Sequence, residues 1–187
     1  MYQICVSGAA KGDSVEEGKD LARQVGAAIA EAGHALMTGA TVGLPNYAAE
    51  GYKSAGGKMS FGISPASSKV EHIRKYRLPT EAYDVIMYSG LHYVGRDSLL
   101  ITSSDAVVSI GGRLGTLHEF TIAMESDTPI GFLQGAGGIS SQIGAIMEAA
   151  GPTRPGAIVL FDTSPTALVN NLTKALDREL GPLKDLY

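Results

Sequence analysis

Short apolar runs recur along the chain at residues 2–6, 35–38, 59–63, 83–88, 106–110, 130–133 and 157–161. Their apolar positions are consecutive rather than alternate, the pattern of strands buried on both faces. Longer amphipathic stretches lie between most of them. The clearest spans 14–32, where Val15, Leu21, Ala22, Val25, Ala28, Ile29 and Ala32 return at three- and four-residue steps. It opens on Ser14-x-x-Glu17, a capping-box pattern, and stops at Gly33, where a left-handed C-cap fits. Further helices are expected at 45–55, 93–103, 116–127, 140–150 and 165–180. Strands alternating with helices predict one α/β domain over residues 1–187, with a mainly parallel sheet of about seven strands between two helical layers.

In such a sheet, ligands bind beyond the carboxyl ends of the strands, near the point where strand order reverses. The turns that follow the strands therefore matter most. They read Ser7-Gly8-Ala9-Ala10-Lys11-Gly12, Thr38-Gly39-Ala40-Thr41-Val42-Gly43 and Gly111-Gly112-Arg113-Leu114-Gly115-Thr116. Each precedes a helix start, where free amides and the helix dipole suit a phosphate. Glycine also serves ordinary strand-to-helix turns, so each turn taken singly has a purely structural reading. None matches the dinucleotide fingerprint or the P-loop pattern.

Composition narrows the classes. The 24 glycines among 187 residues exceed the usual share of about 7% and cluster where apolar runs end. With 15 Lys and Arg against 19 Asp and Glu, the net charge is −4. That balance argues against charge-driven binding to nucleic acid or a membrane surface. The one cysteine, Cys5, excludes an internal disulfide and a multi-cysteine zinc site. No basic leader and no run near the eighteen apolar residues of a membrane span is present, so the expected location is cytoplasmic.

The segment after the fifth strand carries the most chemistry. Glu119 falls one turn into a helix expected to start near Thr116. Two readings apply: a site carboxylate beside a phosphate cradle, or the acidic partner of a Thr116-x-x-Glu119 capping box. The helix periodicity turns His118 away from Glu119, which favours a solvated position. His92, at the start of the preceding helix, is a candidate contact to a base; His34 follows a helix end and would serve its dipole. The basic stretch 69–77 reads as a solvated connection or, second, as a lid. Cys5 reads as a small buried hydrophobe.

These motifs resemble the LOG-type nucleotide-binding proteins, whose characterised enzymes are nucleoside 5′-monophosphate phosphoribohydrolases. Gly115, Thr116 and Glu119 match the end of that family's P-G-G-x-G-T-x-x-E hallmark, and Arg96 stands 23 residues before Glu119, where the family has its supporting Arg. The run from Thr38 through Gly39 and Gly43 to Ala48-Ala49-Glu50-Gly51 and Gly56-Gly57 is similar to the family's second-strand loop and helix, and Gly62-Ile63-Ser64-Pro65 to the end of its third strand. The resemblance covers about residues 1–135. It departs at Gly111 (Pro in the family), Arg113 (Gly), Ala40 and Thr41 (loop glycines) and Asp97 (Lys).

What the resemblance implies is a Rossmann-like three-layer fold, a homodimer, and hydrolysis of a nucleoside monophosphate such as AMP to base and ribose 5-phosphate. Glu119 would activate water and Arg96 would support it or clamp phosphate. Gly8, Gly39, Thr41, Gly43, Gly111, Gly112, Arg113, Gly115 and Thr116 would form the substrate and phosphate cradle, with no metal and no cofactor. The alternative is a non-catalytic nucleotide or cofactor carrier using the same pocket. Arg113 has two readings: a guanidinium reaching phosphate from the rim, or a plug in the phosphate space. Pyridoxal chemistry, which an old family label suggests, lacks a lysine in a Schiff-base context.

Overall fold

The computed structural model describes residues 1–151 and 157–186. Seven strands form one sheet: β1 (Gln3–Gly8), β2 (Ala35–Thr38), β3 (Ser60–Ser64), β4 (Val85–Tyr88), β5 (Ala106–Ile110), β6 (Ile130–Leu133) and β7 (Val159–Asp162). Their order is β4-β3-β2-β1-β5-β6-β7, and every neighbouring pair is parallel. The chain starts at the centre, steps outward to β4, and returns to the other flank of β1 at β5. The order therefore reverses between β1 and β5, whose carboxyl ends pair Gly8 with Ile110. This is the Rossmann-like α/β architecture expected.

Helices α1 (Asp13–Glu31), α2 (Leu44–Ser54), α3 (Lys69–Arg74), α4 (His92–Thr102), α5 (Leu114–Glu125), α6 (Ile143–Ala150) and α7 (Pro165–Leu180) connect the strands. Side chains alternate along the strands into two cores. Ile4, Val6, Val108 and Ile110 face α1, α2 and α7, with Ala22, Val25, Leu44 and Leu172. Cys5 and Val107 face α4, α5 and α6, with Leu100, Phe120 and Ile143. Burying each large aliphatic side chain contributes about 1.5–3 kcal/mol, and all five residues of β5 are buried. The α1–α2 crossing is close because Gly26 and Gly51 face it. A Cβ on Gly26 would stand 2.7 Å from the Tyr52 nitrogen, and one on Gly51 would stand 2.6 Å from the Arg23 Cα.

Several local expectations are corrected. Helix α1 starts at Asp13 behind Gly12 (φ 100°) with no side-chain cap, so Ser14 and Glu17 form no capping box. Gly33 does adopt the left-handed C-terminal conformation, φ 73°. Residues 69–74 are helical, capped by Ser68 accepting from the Glu71 amide. That helix is pinned by buried His72, bonded to Ser64 and the Pro79 carbonyl; Lys69, Arg74, Lys75 and Arg77 are exposed. Buried His34 bonds Thr173 and faces the Tyr2 amide rather than serving a helix end. Cys5 is fully buried. Among the described residues, no helix is long and apolar enough to cross a membrane.

Candidate functional site

A cleft of about 300 Å³ opens at the carboxyl edge of the sheet, beyond the paired ends of β1 and β5, where the strand order reverses. Its position follows from the helix stripes. On α4 the buried residues are Arg96, Asp97, Leu100 and Ile101; on α5 they are Thr116, Glu119, Phe120 and Ala123. Each helix thus carries one continuous inward face. Its lower turn is apolar and enters the core, while its upper turn is polar and reaches the cleft.

Arg96 and Glu119 come together there with Asp97. The Arg96 Nη1 lies 3.2 Å from Asp97 Oδ1 and 3.8 Å from Glu119 Oε1, and the Arg96 side chain is only 5% exposed. Its Nε has no hydrogen-bond partner, an unmet donor beside the cleft. The guanidinium rests against Gly39, where a Cβ would stand 2.6 Å from Cζ. That contact, rather than a turn conformation, requires glycine at 39. Ser7, at the end of β1, donates its hydroxyl to Glu119 Oε2. Burial foremost, then the Asp97 carboxylate, push Glu119 up to about 7; Arg96, Ser7 and His118 pull the other way.

The capping reading of Glu119 fails on geometry. Helix α5 begins at Leu114 behind Arg113, with no side-chain cap, so Thr116 lies inside the helix and Glu119 points to Ser7. The first-turn amides of a helix have no intrahelical partner. Helices α2, α4 and α5 reach the cleft, through Pro45, Tyr93 and Gly115, and the loop before α1 reaches it through Lys11. None of these three helices has a side-chain cap. Of the helices that start away from it, α3 and α7 are capped by Ser68 and Ser164, while α1 and α6 have no side-chain cap. Helices α2, α4 and α5 also lack an acidic residue in the first turn. The cleft edge is therefore a convergence of positive helix ends. Arg113, exposed at the α5 start, adds a cation where the dipole alone opposes one.

Of the other expected residues, Gly8, Thr41, Gly115 and Thr116 line the cleft. Gly115 differs from the other expected site glycines: its φ is not positive, and a Cβ there would meet no neighbouring atom within 4 Å. Neither strain nor packing calls for a glycine at that point. Gly43, Gly111 and Gly112 shape the turns instead of lining the space. Gly43 (φ 81°) backs onto Ala10, and the Gly111 and Gly112 carbonyls accept from Ser140 and Ile139. His92 bonds Tyr76 away from the cleft. His118 is half-buried and bonds Asp97 Oδ2 at 3.1 Å, which replaces the solvated position expected of it.

Sequence reasoning missed Ser7, Asp97 and Tyr93 as parts of the site. Strand alternation offered a signal for Ser7, which shares the face of Cys5. Helical spacing offered one for Asp97, four residues before Ile101. Among the described residues, no group of three or more His, Cys, Asp or Glu is placed to hold a metal.

Comparison with known proteins follows the same lines. The family described as LDcluster4, the SLOG cluster4 family, matches residues 1–169. An uncharacterized protein of Archaeoglobus fulgidus is 34% identical over 134 residues, 72% of this chain and 81% of that one. The crystal structure of TM1055 superposes with a TM-score of 0.80 at 24% identity, over 93% of this chain and 99% of the other. The molybdenum cofactor binding protein of Rippkaea orientalis gives 0.71 at 26%, over 92% and 96%. The Moco carrier protein of Chlamydomonas reinhardtii gives 0.75 at 24%, over 95% and 98%.

Proposed function

The chain belongs to the SLOG cluster4 family, a divergent branch of the LOG-type group its motifs resemble, and from that premise we propose that the cleft binds a phosphate-bearing nucleotide or nucleotide-like cofactor. The observation that carries this reading is the convergence of three uncapped helix starts on a cleft walled by a buried arginine with an unmet donor. The phosphate sits on the first turn of α5, against the amides of Gly115 and Thr116 and the Thr116 hydroxyl, in the space that Gly115 leaves open. Arg113 closes on it from the rim with a charge-assisted fork.

Within that reading, the site hydrolyses the N-glycosidic bond of a nucleoside monophosphate such as AMP. Ionised Glu119 takes a proton from water, the water oxygen bonds to the anomeric carbon, and the base leaves with the bonding electron pair. Arg96 holds Glu119 and the charge that develops. A carrier of an intact ligand is the second reading. It is favoured by the 26% identity to a protein named for binding the molybdenum cofactor and by Arg113 in the hallmark turn.

A panel of nucleoside monophosphates separates the two. Release of both free base and ribose 5-phosphate supports the hydrolase; binding without turnover supports the carrier. Neither binding nor release, across the panel and the cofactor, would overturn both.

A further inference from the structure

The buried charges of the site do not balance. One nitrogen, Arg96 Nη1, serves two carboxylates, closer to Asp97 (3.2 Å) than to Glu119 (3.8 Å). The three side chains are 5%, 9% and 11% exposed. The groups facing Glu119 are few. From β1 come the Ser7 hydroxyl and the buried Cys5 thiol; from α4, Arg96 and Asp97; from α5, His118, which reaches Asp97 from a half-exposed position. Lys11 and Arg113 stand exposed at the rim. Two carboxylates on one guanidinium in a nearly sealed place favour retention of a proton by one of them.

We propose that Asp97 is a positioning residue that outcompetes Glu119 for the Arg96 guanidinium and so sets whether Glu119 carries a proton. The rise in the Glu119 proton affinity that burial and the Asp97 carboxylate produce agrees with that geometry. The proton exchanges with solvent through the cleft, and no further reactant is involved. Protonated, Glu119 donates to a bound ligand; ionised, it accepts a proton from water. The LOG-type pattern has lysine in place of Asp97, which would put a second cation beside the carboxylate and keep it ionised. Position 97 is therefore where this chain sets its own pH range. The consequence for turnover rests on the hydrolase reading above, but the placement of the proton does not.

The test reads Glu119 directly, by carboxyl ¹³C NMR of glutamate-labelled protein across pH, with the Glu119 signal assigned by its loss in Glu119→Gln. The wild-type midpoint should lie near neutrality. Asp97→Asn, nearly isosteric, should lower it by about one pH unit or more. His118→Gln should raise it, because the imidazole's pull toward ionised Glu119 is lost. Opposite signs are the decisive feature, since general loosening of the site would move both midpoints the same way. A midpoint unchanged in both variants, or shifted alike in both, overturns the proposal. Should Asp97→Asn fail to fold, Asp97→Ser is titrated in its place, and an unchanged midpoint there overturns the proposal. The titration uses the protein without ligand, so a failure of the hydrolase reading leaves it standing, and the reverse also holds.

Discussion

Two helix pairs flank the same sheet and use glycine for opposite purposes. Where α1 crosses α2, Gly26 and Gly51 let backbone meet backbone, and an added Cβ would collide with the neighbouring helix. Beside α4, the first turn of α5 holds Gly115, where an added Cβ would meet nothing. The first pair is complete in itself: apolar side chains and close backbones fill its contact, and the charges that cross it, Arg23 and Glu50, pair at 3.2 Å. The second is incomplete, with Arg96, Asp97 and Glu119 buried around one short ion pair and an unmet donor. The first arrangement is built for stability and the second for a ligand. Buried charge that is only partly paired costs stability, and a site can carry that cost because the opposite core is well packed.

The largest expected effect comes from breaking the incomplete side. Arg96→Ala leaves Asp97 and Glu119 buried without their cation. It should cost about 3–5 kcal/mol in chemical denaturation and abolish nucleotide binding; a loss below about 1 kcal/mol would show that the cluster is not charge-bearing. On the complete side, Gly26→Ala forces α1 and α2 apart. It should cost about 1–3 kcal/mol while ligand affinity, measured on the folded variant, stays within twofold. A matching loss of affinity would show that the two sides are coupled.

Glu119→Gln sharpens the contrast through pH. Between the ordinary 4.5 and about 7, the folded chain holds a proton on Glu119 that the unfolded chain has released. The stabilisation from this group is therefore full below pH 4.5 and gone above about 7. Glutamine does not titrate, so the variant should be about 3 kcal/mol more stable than wild type at pH 8, with the gap closing toward pH 4.5. Thermal unfolding across that range checks it. A variant less stable than wild type at pH 8 would return Glu119 to a purely structural role.

Much of the scaffold was legible in the sequence. The run at 106–110 coincides with β5, and the stripe from Val15 to Ile29 gives the buried face of α1, because consecutive burial and helical periodicity are local signals. Helix starts were less legible. The capping-box patterns at Ser14 and Thr116 fail for one reason: those helices begin one and two residues earlier, at Asp13 and Leu114, behind Gly12 and Arg113, which give no side-chain cap. A missing cap leaves no positive mark in a sequence. Helix α3 went unseen because Val70 and Ile73 are exposed and its six residues carry no apolar stripe. Arg96 and Glu119 are legible through the family spacing their motifs resemble, while Ser7 and Asp97 become visible only once strand and helix face each other.

The central claim is that a phosphate rests on the first turn of α5 where Gly115 leaves room. Gly115→Ala tests it with the smallest change available, one methyl group that touches no protein atom. Calorimetric titration of the wild type and the variant with a nucleoside monophosphate, and with the corresponding nucleoside, gives the measurement. The account predicts that the variant holds or gains stability, by up to about 1 kcal/mol from the better helix former. Monophosphate affinity should fall about tenfold or more, a difference of about 1.4 kcal/mol, with nucleoside binding unchanged. Equal monophosphate affinity in both proteins would contradict the account, because the open space at Gly115 would then not be where the phosphate sits.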